Sequence, residues 1–419
     1  MSLTLLSRLL PSPHRPGCGV VRQVVSAGWL PSLSAPRTRR LHGVGGDDTP
    51  TKTVKEVICS LTSKVGATHS FSDTVDRSHL LKLLPLSQEE LPARTMRDSW
   101  DSAIIPLGSE ERLREKYVTF MGGVRVGRLL EDLDVFAVWL CYKHIQNPRQ
   151  TPDLPSPYSI VTALVDRIDF DPGRSLHPDR DIRISGHVSW TGRSSLETIL
   201  SVEQREDDAW RQVTRAVFVM VARDPLNQGS AFVNPLVCET PEERKIYQAG
   251  EVNKLHRKLV QEESLFRVPP NESEKTLVHE LFMSMANPKE LSFTSKKQPD
   301  NSVWMEETKL KNLIICHPEH RNRFKKVFGG FIMRLAFELG WACAYTYRNI
   351  HMKEVWLIVA GESLAFFFQS RNIFYKIFGG FLMRKAFELA WANALMYRSV
   401  QPTHCSGWPG TLAQLWKQV

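Results

Sequence analysis

The sequence lacks several patterns that define common classes of protein. Cysteine is scarce in the 419 residues, and its seven positions are all single: Cys18, Cys59, Cys141, Cys238, Cys316, Cys343 and Cys405. Without CxxC or another metal-ligand spacing they indicate no zinc site and no disulfide framework, and they favour a reducing compartment. The longest apolar stretch, 355–368, is interrupted by Gly361, Glu362 and Ser363. The sequence therefore predicts no membrane-spanning helix.

Acidic residues are missing from positions 1–46, and this absence explains most of the basic excess. The chain has a net charge of +9, and six arginines in this segment leave only +3 for the remainder. The charge therefore predicts no nucleic-acid partner. Segments rich in Arg and Ser and free of acids are typical of mitochondrial presequences, so we expect 1–46 to direct the chain to the mitochondrial matrix. The alternative is a disordered basic tail without an address.

Composition and periodicity divide the remainder into four segments: a connector at 47–95, a first domain at 96–223, an interdomain segment at 224–290 and a second domain at 291–419. In the first domain, residues 125–145 have the apolar spacing of a long helix with one buried face. Four strand-like segments follow, bounded by turn residues, at 159–170, 181–191, 196–206 and 213–223. One long helix followed by antiparallel strands predicts an α+β domain in which a sheet wraps around a central helix.

The later part of the chain contains a repeated helix. Residues 242–260 have a helical pattern, and strand-like stretches follow at 290–294 and 302–315. Residues 321–348 and 371–398 are identical at 19 of 28 positions, at an offset of 50, which indicates a duplicated segment. Only 21 residues follow the second copy, and none resembles the four-strand run of the first domain. The second domain is therefore expected to have two helices and little sheet.

Five runs of sequence resemble a known family. They are FVMVARDPLNQGSAFVNPL at 218–236, RVGRLLEDLD at 125–134, SIVTALVDRID at 159–169, ISGHVSWTG at 184–192 and NIFYKIFGGFLMRKAFELAWA at 372–392. Together they are similar to the mitochondrial acyl-coenzyme A thioesterases that carry two hotdog domains in tandem, over roughly residues 90–400. The chain departs from that pattern because its second hotdog does not continue into strands, so the second hotdog is expected to be incomplete.

The resemblance implies an enzyme of fatty acid metabolism that hydrolyses fatty acyl-CoA to free fatty acid and coenzyme A. It implies no metal and no organic cofactor, since coenzyme A is part of the substrate and product. Hotdog domains pair side by side, so it also implies an intramolecular pair or a homo-oligomer. The alternative is a catalytically impaired hotdog protein that binds acyl-CoA or pairs with a full-length thioesterase subunit, and a chain whose second domain folds poorly is a third possibility. Hydratase chemistry ranks low, because no histidine accompanies the candidate acid at a suitable helical offset.

The resemblance also implies a composite site with an acid from one half and an amide from the other. In such thioesterases an Asn lies seven residues before the first Gly of a GG pair, which selects Asn322 and Asn372. The acid lies eight residues after the equivalent of that Gly, which selects Asp134 to activate water. Backbone N–H groups of Gly330 or Gly380 would face the oxyanion, because a helix N-terminus is electropositive.

Each of these residues also has an ordinary structural interpretation. Asp134 adjoins Glu131 and Asp132, and an acidic run on a helix is usually a solvated face. An Asn before a helix is often a cap, which applies equally to Asn322 and Asn372. Glu338 and Glu388 are interpreted as structural hydrogen-bonding or ion-pairing residues.

Two further sets of side chains have groups suited to binding or chemistry. The phosphates of coenzyme A require cations at the entrance of the site, and the candidates are Arg223, Arg321, Lys325 and Lys326. His187 and Ser189 lie on a predicted strand, but no Asp/His/Ser arrangement supports serine-esterase chemistry.

Overall fold

The computed structural model describes residues 52–66, 76–170, 176–206, 209–264, 267–286, 298, 304, 309–320 and 327–347. These residues belong to two units, one formed by Met1–Tyr117 and Arg128–Asn271, the other by Val118–Gly127 and Glu272–Val419. The expected presequence at 1–46 and the second helix copy at 371–398 lie outside the described residues.

The first unit contains a five-stranded antiparallel sheet. Its strands are β2 (Asp101–Ile105), β3 (Ser159–Phe170), β4 (Ile182–Thr191), β5 (Ser195–Glu206) and β6 (Ala209–Arg223). A separate two-stranded sheet is formed by β1 (Arg94–Thr95) and β7 (Leu236–Val237), which are parallel to each other. The strand order is β2-β4-β5-β6-β3, which leaves β3 at one edge. The four strands predicted from the sequence are confirmed: β3 has the predicted bounds, β4 and β5 differ by one residue at the start, and β6 begins four residues earlier than predicted.

The helices are α1 (Val54–Val65), α2 (Met96–Ser99), α3 (Glu111–Arg114), α4 (Val126–His144), α5 (Pro241–Glu262), α6 (Glu272–Met285) and α7 (Gly329–Tyr347). The predictions of a long helix at 125–145 and of a helix at 242–260 are confirmed by α4 and α5. None of these described helices has the length and apolar character needed to cross a membrane.

Helix α4 packs against one face of the sheet through its apolar side. Leu129, Leu133, Phe136 and Leu140 are each at most 1% exposed. At Gly186 in β4, an added Cβ would lie 3.1 Å from Leu140 Cδ1, so the absence of a side chain there lets helix and strand approach closely. A long helix buried on an antiparallel sheet is the hotdog arrangement, and the predicted α+β fold class is confirmed.

Helix α5 covers the opposite face of the sheet, and a β-bulge in β4 makes this possible. Val188 pairs with Thr198, whereas Trp190 pairs with Glu197, so Ser189 is the extra residue. Because the bulge adds one residue, it turns the Trp190 side chain away from the α4 face. An added Cβ at Gly250 of α5 would lie 2.5 Å from Trp190 Cβ, so α5 lies directly against that indole.

A polar network around the buried Glu197 holds α5 on this outer face. Arg257 Nη1 lies 3.0 Å from Asp166 Oδ2 in β3 and 3.3 Å from Glu197 Oε2 in β5. Asn253 Nδ2 donates to both carboxylate oxygens of Glu197. Burial raises the pKa of Glu197, and the nearby Arg257 guanidinium opposes that shift. The network therefore pairs the buried carboxylate. Without a partner, a charge at this depth would strongly destabilise the fold.

The connector at 47–95 contains structure that the sequence interpretation did not assign. Helix α1 begins with a capping box in which Thr53 and Glu56 bond each other's backbone N–H groups, and it ends at Gly66 with a φ of 63°. Gly66 adopts the left-handed conformation that closes a helix. Helix α5, placed by composition in the interdomain segment, belongs to the first unit.

In the second unit, the described residues form α6, α7 and a three-residue 3₁₀ turn, Pro318–His320, with no strand of two residues or more. The prediction of a strand at 302–315 is wrong for residues 309–315, which have no regular structure. Alternation of apolar and polar residues is not sufficient for a strand, because a strand also requires a neighbouring strand whose backbone it can bond. The strand-like stretch at 290–294 lies outside the described residues.

Candidate active site

Asp134 lies on the sheet-facing side of α4 and is 0% exposed. Thr162 Oγ1 in β3 donates a hydrogen bond of 2.5 Å to Asp134 Oδ1. The bond joins the helix to an edge strand of the sheet: β3 has a neighbouring strand on one side only in the described sheet. The carboxylate is therefore buried and fixed in orientation, which suits a catalytic base.

The acidic run around Asp134 is not a solvated face. Asp132 is 2% exposed and accepts a 2.5 Å hydrogen bond from the Tyr117 hydroxyl. Glu131 accepts a 2.9 Å hydrogen bond from Arg128 Nη1. Burial, followed by the charge of Asp132, raises the pKa of Tyr117, so this hydroxyl remains a donor. The three acids point in three directions with three different partners, as a helical step of 100° per residue requires.

The start of α4 contains Gly127, at the position that replaces the second glycine of a GG pair. An added Cβ at Gly127 would lie 3.1 Å from Glu338 Cγ and 3.2 Å from Arg334 Cγ, both on α7. Arg125 Nε donates a 2.6 Å hydrogen bond to Glu338 Oε1. The structural interpretation of Glu338 as an ion-pairing residue is confirmed, and Glu388 lies outside the described residues.

Helix α7 begins at the Gly329-Gly330 pair, and Gly330 is buried there. The His320 ring stacks on Phe331 with 4.3 Å between ring centroids, and Phe328 N donates to His320 O at 3.1 Å. The 3₁₀ turn therefore packs on the helix start. The first turn of a helix directs its backbone N–H groups toward the electropositive N-terminus, which is the property expected of an oxyanion-binding element.

Arg223, one of the candidate phosphate-binding cations, lies at the end of β6. Its Nη2 donates to the carbonyl oxygens of Asn227 at 3.2 Å and Gln228 at 3.1 Å. Asn227 has a φ of 58°, so this loop is a tight turn that the guanidinium stabilises. The contacts give Arg223 a structural role, and its role toward coenzyme A stays a prediction.

His187 and Ser189 each bond a group other than the other's side chain. Ser189 Oγ donates to Glu197 O at 3.2 Å, and His187 Nδ1 lies 3.1 Å from Val188 O. Burial lowers the pKa of His187. Among the described residues, no group of three His, Cys, Asp or Glu side chains could hold a metal ion.

Two curated proteins are closely similar to this chain. Acyl-coenzyme A thioesterase 9, mitochondrial, from Bos taurus is 48% identical over 295 residues, which are 70% of this chain and 67% of the bovine protein. The protein of the same name from Homo sapiens is 47% identical over 298 residues, again 70% of this chain and 67% of the human protein. The chain belongs to the acyl-coenzyme A thioesterase 9 family. No protein-family model matches it.

Two solved structures resemble parts of this acyl-coenzyme A thioesterase 9 family member. An acyl-CoA hydrolase from Staphylococcus aureus in complex with butyryl coenzyme A and coenzyme A is 18% identical, covers 45% of this chain and 99% of that chain, and has a TM-score of 0.33. An apo-hexameric acyl-CoA thioesterase is 20% identical, covers 42% of this chain and 100% of that chain, and has a TM-score of 0.35.

Of the candidate residues, the structure of this acyl-coenzyme A thioesterase 9 family member describes Asp134 and Arg223 in one unit and Gly330 in the other. The other candidates lie outside the described residues: Asn322, Asn372, Gly380, Arg321, Lys325 and Lys326. Thr162, the partner of Asp134, was missed by the sequence interpretation. The two residues are 28 positions apart, and no local pattern links a strand threonine to a helix aspartate.

Proposed function

We propose that the chain is a mitochondrial acyl-CoA thioesterase that hydrolyses fatty acyl-CoA to free fatty acid and coenzyme A. Membership of the acyl-coenzyme A thioesterase 9 family supports this reaction and does not favour a purely binding role. The structural observation that carries the proposal is the buried Asp134 carboxylate held by the Thr162 hydroxyl.

In the proposed reaction, Asp134 removes a proton from a water molecule whose oxygen attacks the thioester carbonyl carbon. The carbonyl electron pair moves onto oxygen, and the intermediate then expels the sulfur of coenzyme A as the carbon–sulfur bond breaks. The sulfur takes a proton, and the acid is released. Thr162 keeps the carboxylate oriented toward the water, since a fixed base loses little entropy in the transition state.

The second half-site is assigned by spacing in the sequence. Asn372 or Asn322 orients the water or the thioester carbonyl, and the N–H of Gly380 or Gly330 donates to the developing oxyanion. The helix start at Gly330 supports this role, because backbone N–H groups at a helix N-terminus stabilise negative charge. No metal or organic cofactor takes part in the proposal, and Arg223, Arg321, Lys325 and Lys326 are its candidate contacts to the phosphates.

We place the reaction in the mitochondrial matrix, on the basis of the acid-free basic segment 1–46 and the mitochondrial names of the relatives. The proposed assembly is a pair of hotdog domains or a homo-oligomer. The edge strand β3 supports that assembly, because an edge strand can pair with another sheet and Thr162 lies on it. A partner sheet there would bring further residues close to Asp134.

The test is thiol release from acyl-CoAs of several chain lengths by the full chain. Asp134→Asn should lower kcat by about 10²–10⁴-fold, because general-base catalysis contributes that much. Asp132→Asn is the matched control, since Asp132 is equally buried on the same helix but bonds Tyr117. A parent chain with no more activity than Asp134→Asn would refute the proposal, as would equal losses in both variants at equal melting temperature.

A further inference from the structure

The segment Val118–Gly127, here called the helix seat, packs on α7 through contacts that include the following. Phe120 and Trp341 meet edge to face with 5.7 Å between ring centroids. Arg125 forms its 2.6 Å ion pair with Glu338. Gly127 lies against Arg334 and the Glu338 stem. The helix seat and α7 belong to the same unit, so these contacts are internal to it.

Every α7 side chain in these contacts recurs in the second helix copy. At the offset of 50, Arg334, Glu338 and Trp341 correspond to Arg384, Glu388 and Trp391. The copies differ at nine of 28 positions, and Arg334, Glu338 and Trp341 are not among the nine. The second copy therefore offers the helix seat the same aromatic ring, the same carboxylate and the same guanidinium at the same spacing.

Two of the differing positions are compatible with exchange. Gly340 corresponds to Ala390, and an added Cβ at Gly340 would meet nothing within 4 Å. Ile332, which corresponds to Leu382, is 54% exposed. Alanine also favours a helix more than glycine does, so this change makes the second copy the better helix former at that point.

We propose that the helix seat binds residues 371–398 of the same chain as an alternative to α7. Only one copy can bind at a time, because both use Arg125. When the second copy is bound, the first becomes part of a longer connection, whose entropic cost grows only with the logarithm of its length. Exchange of the copies replaces Asn322 with Asn372, but the proposal concerns helix binding and does not depend on hydrolysis.

The experiment is cysteine cross-linking in the full chain with a short thiol-reactive reagent and peptide mapping by mass spectrometry. One chain carries Phe120→Cys with Trp341→Cys, and the other carries Phe120→Cys with Trp391→Cys. Phe120→Cys alone identifies links to the seven native cysteines. We expect a specific link within one chain in both double variants. A 120–341 link without a 120–391 link would overturn the proposal. So would a 120–391 link that, in a mixture of isotopically labelled and unlabelled chains, forms only between two different chains.

A second measurement tests competition between the copies. Glu338→Lys removes the ion pair of the first copy, so it should raise the yield of the 120–391 link at least about twofold by shifting the population. Glu388→Lys should raise the 120–341 link in the same way, and unchanged yields in both would contradict the proposal. If Phe120→Cys prevents folding, Met121→Cys replaces it, because Met121 is 63% exposed and adjoins the same contact.

Discussion

Helices α4 and α7 are both 19 residues long, and they differ in what covers them. In α4, which has a sheet against it, Phe136, Leu133 and even Asp134 are at most 1% exposed. Among the described side chains of α7, Phe331 is the one large apolar group that is buried, at 4% exposed, and Ile332 is 54% exposed. The comparison shows that an apolar sequence is not enough to bury the side chains of a helix, because burial requires a second layer of structure packed against them.

The largest expected effect tests that difference directly. Phe136→Ala should lower the free energy of unfolding of the first unit by about 3–5 kcal/mol, because it leaves a cavity in a packed core. Phe337→Ala on the half-buried side of α7 should cost less than half as much, since solvent already reaches that ring. Chemical denaturation followed by circular dichroism measures both values. Equal losses would mean that α7 is covered as completely as α4.

The next effect concerns a buried histidine at the end of α4. Burial lowers the pKa of His144 to about 4, and this outweighs the hydrogen bond with Asn234 O. Because the unfolded chain binds the proton at higher pH, stability should fall as pH drops from about 6.5 toward 4, by about 3 kcal/mol in total. Melting curves across that range measure the loss.

The matched variant for this pH dependence is His144→Asn. It should flatten the part of the profile between pH 6.5 and 4, whatever its effect on stability at neutral pH. A parent chain whose melting temperature is constant over that interval would show that His144 is not protected from protons in the folded state.

The smallest expected effect tests the hydrogen bond that the sheet donates to Asp134 in addition to burying it. Thr162→Val keeps the shape of the side chain and removes the donor, so it should cost about 1–3 kcal/mol of stability and lower kcat. Thr198→Val is the control, because Thr198 Oγ1 is fully buried and has no hydrogen-bond partner among the described residues. That variant should be neutral or stabilising. A Thr162→Val enzyme with the parent's kcat would remove Thr162 from the site.

Much of the first unit follows from local sequence patterns. The bounds of α4 and of β3–β6 were predicted closely because burial on one face produces a regular apolar period. Helix α1 also has local signals, a threonine three residues before Glu56 and Gly66 at its end, but they were not used. The strand expected at 302–315 is wrong for residues 309–315, because strand formation depends on partners elsewhere in the chain.

The candidate site is less visible in the sequence than the fold. Asp134 was selected by family spacing, and the acidic run around it suggested a solvated face that the structure does not show. Its contact with Thr162 depends on how the helix crosses the sheet edge, which no local pattern encodes. Contacts of this kind are set by tertiary packing, so sequence periodicity alone cannot predict them.

The bulge at Ser189 gives one point of β4 a tolerance to a change in chain length. With the extra residue, one strand directs Gly186 toward α4 and Trp190 toward α5. Deleting Ser189 would leave Val188 opposite Thr198 and Trp190 opposite Glu197, so the strand would become regular and the indole would keep its face. A single-codon deletion elsewhere in β4 would instead shift the residues on one side of it to the opposite face, and would therefore disturb both helical layers at once.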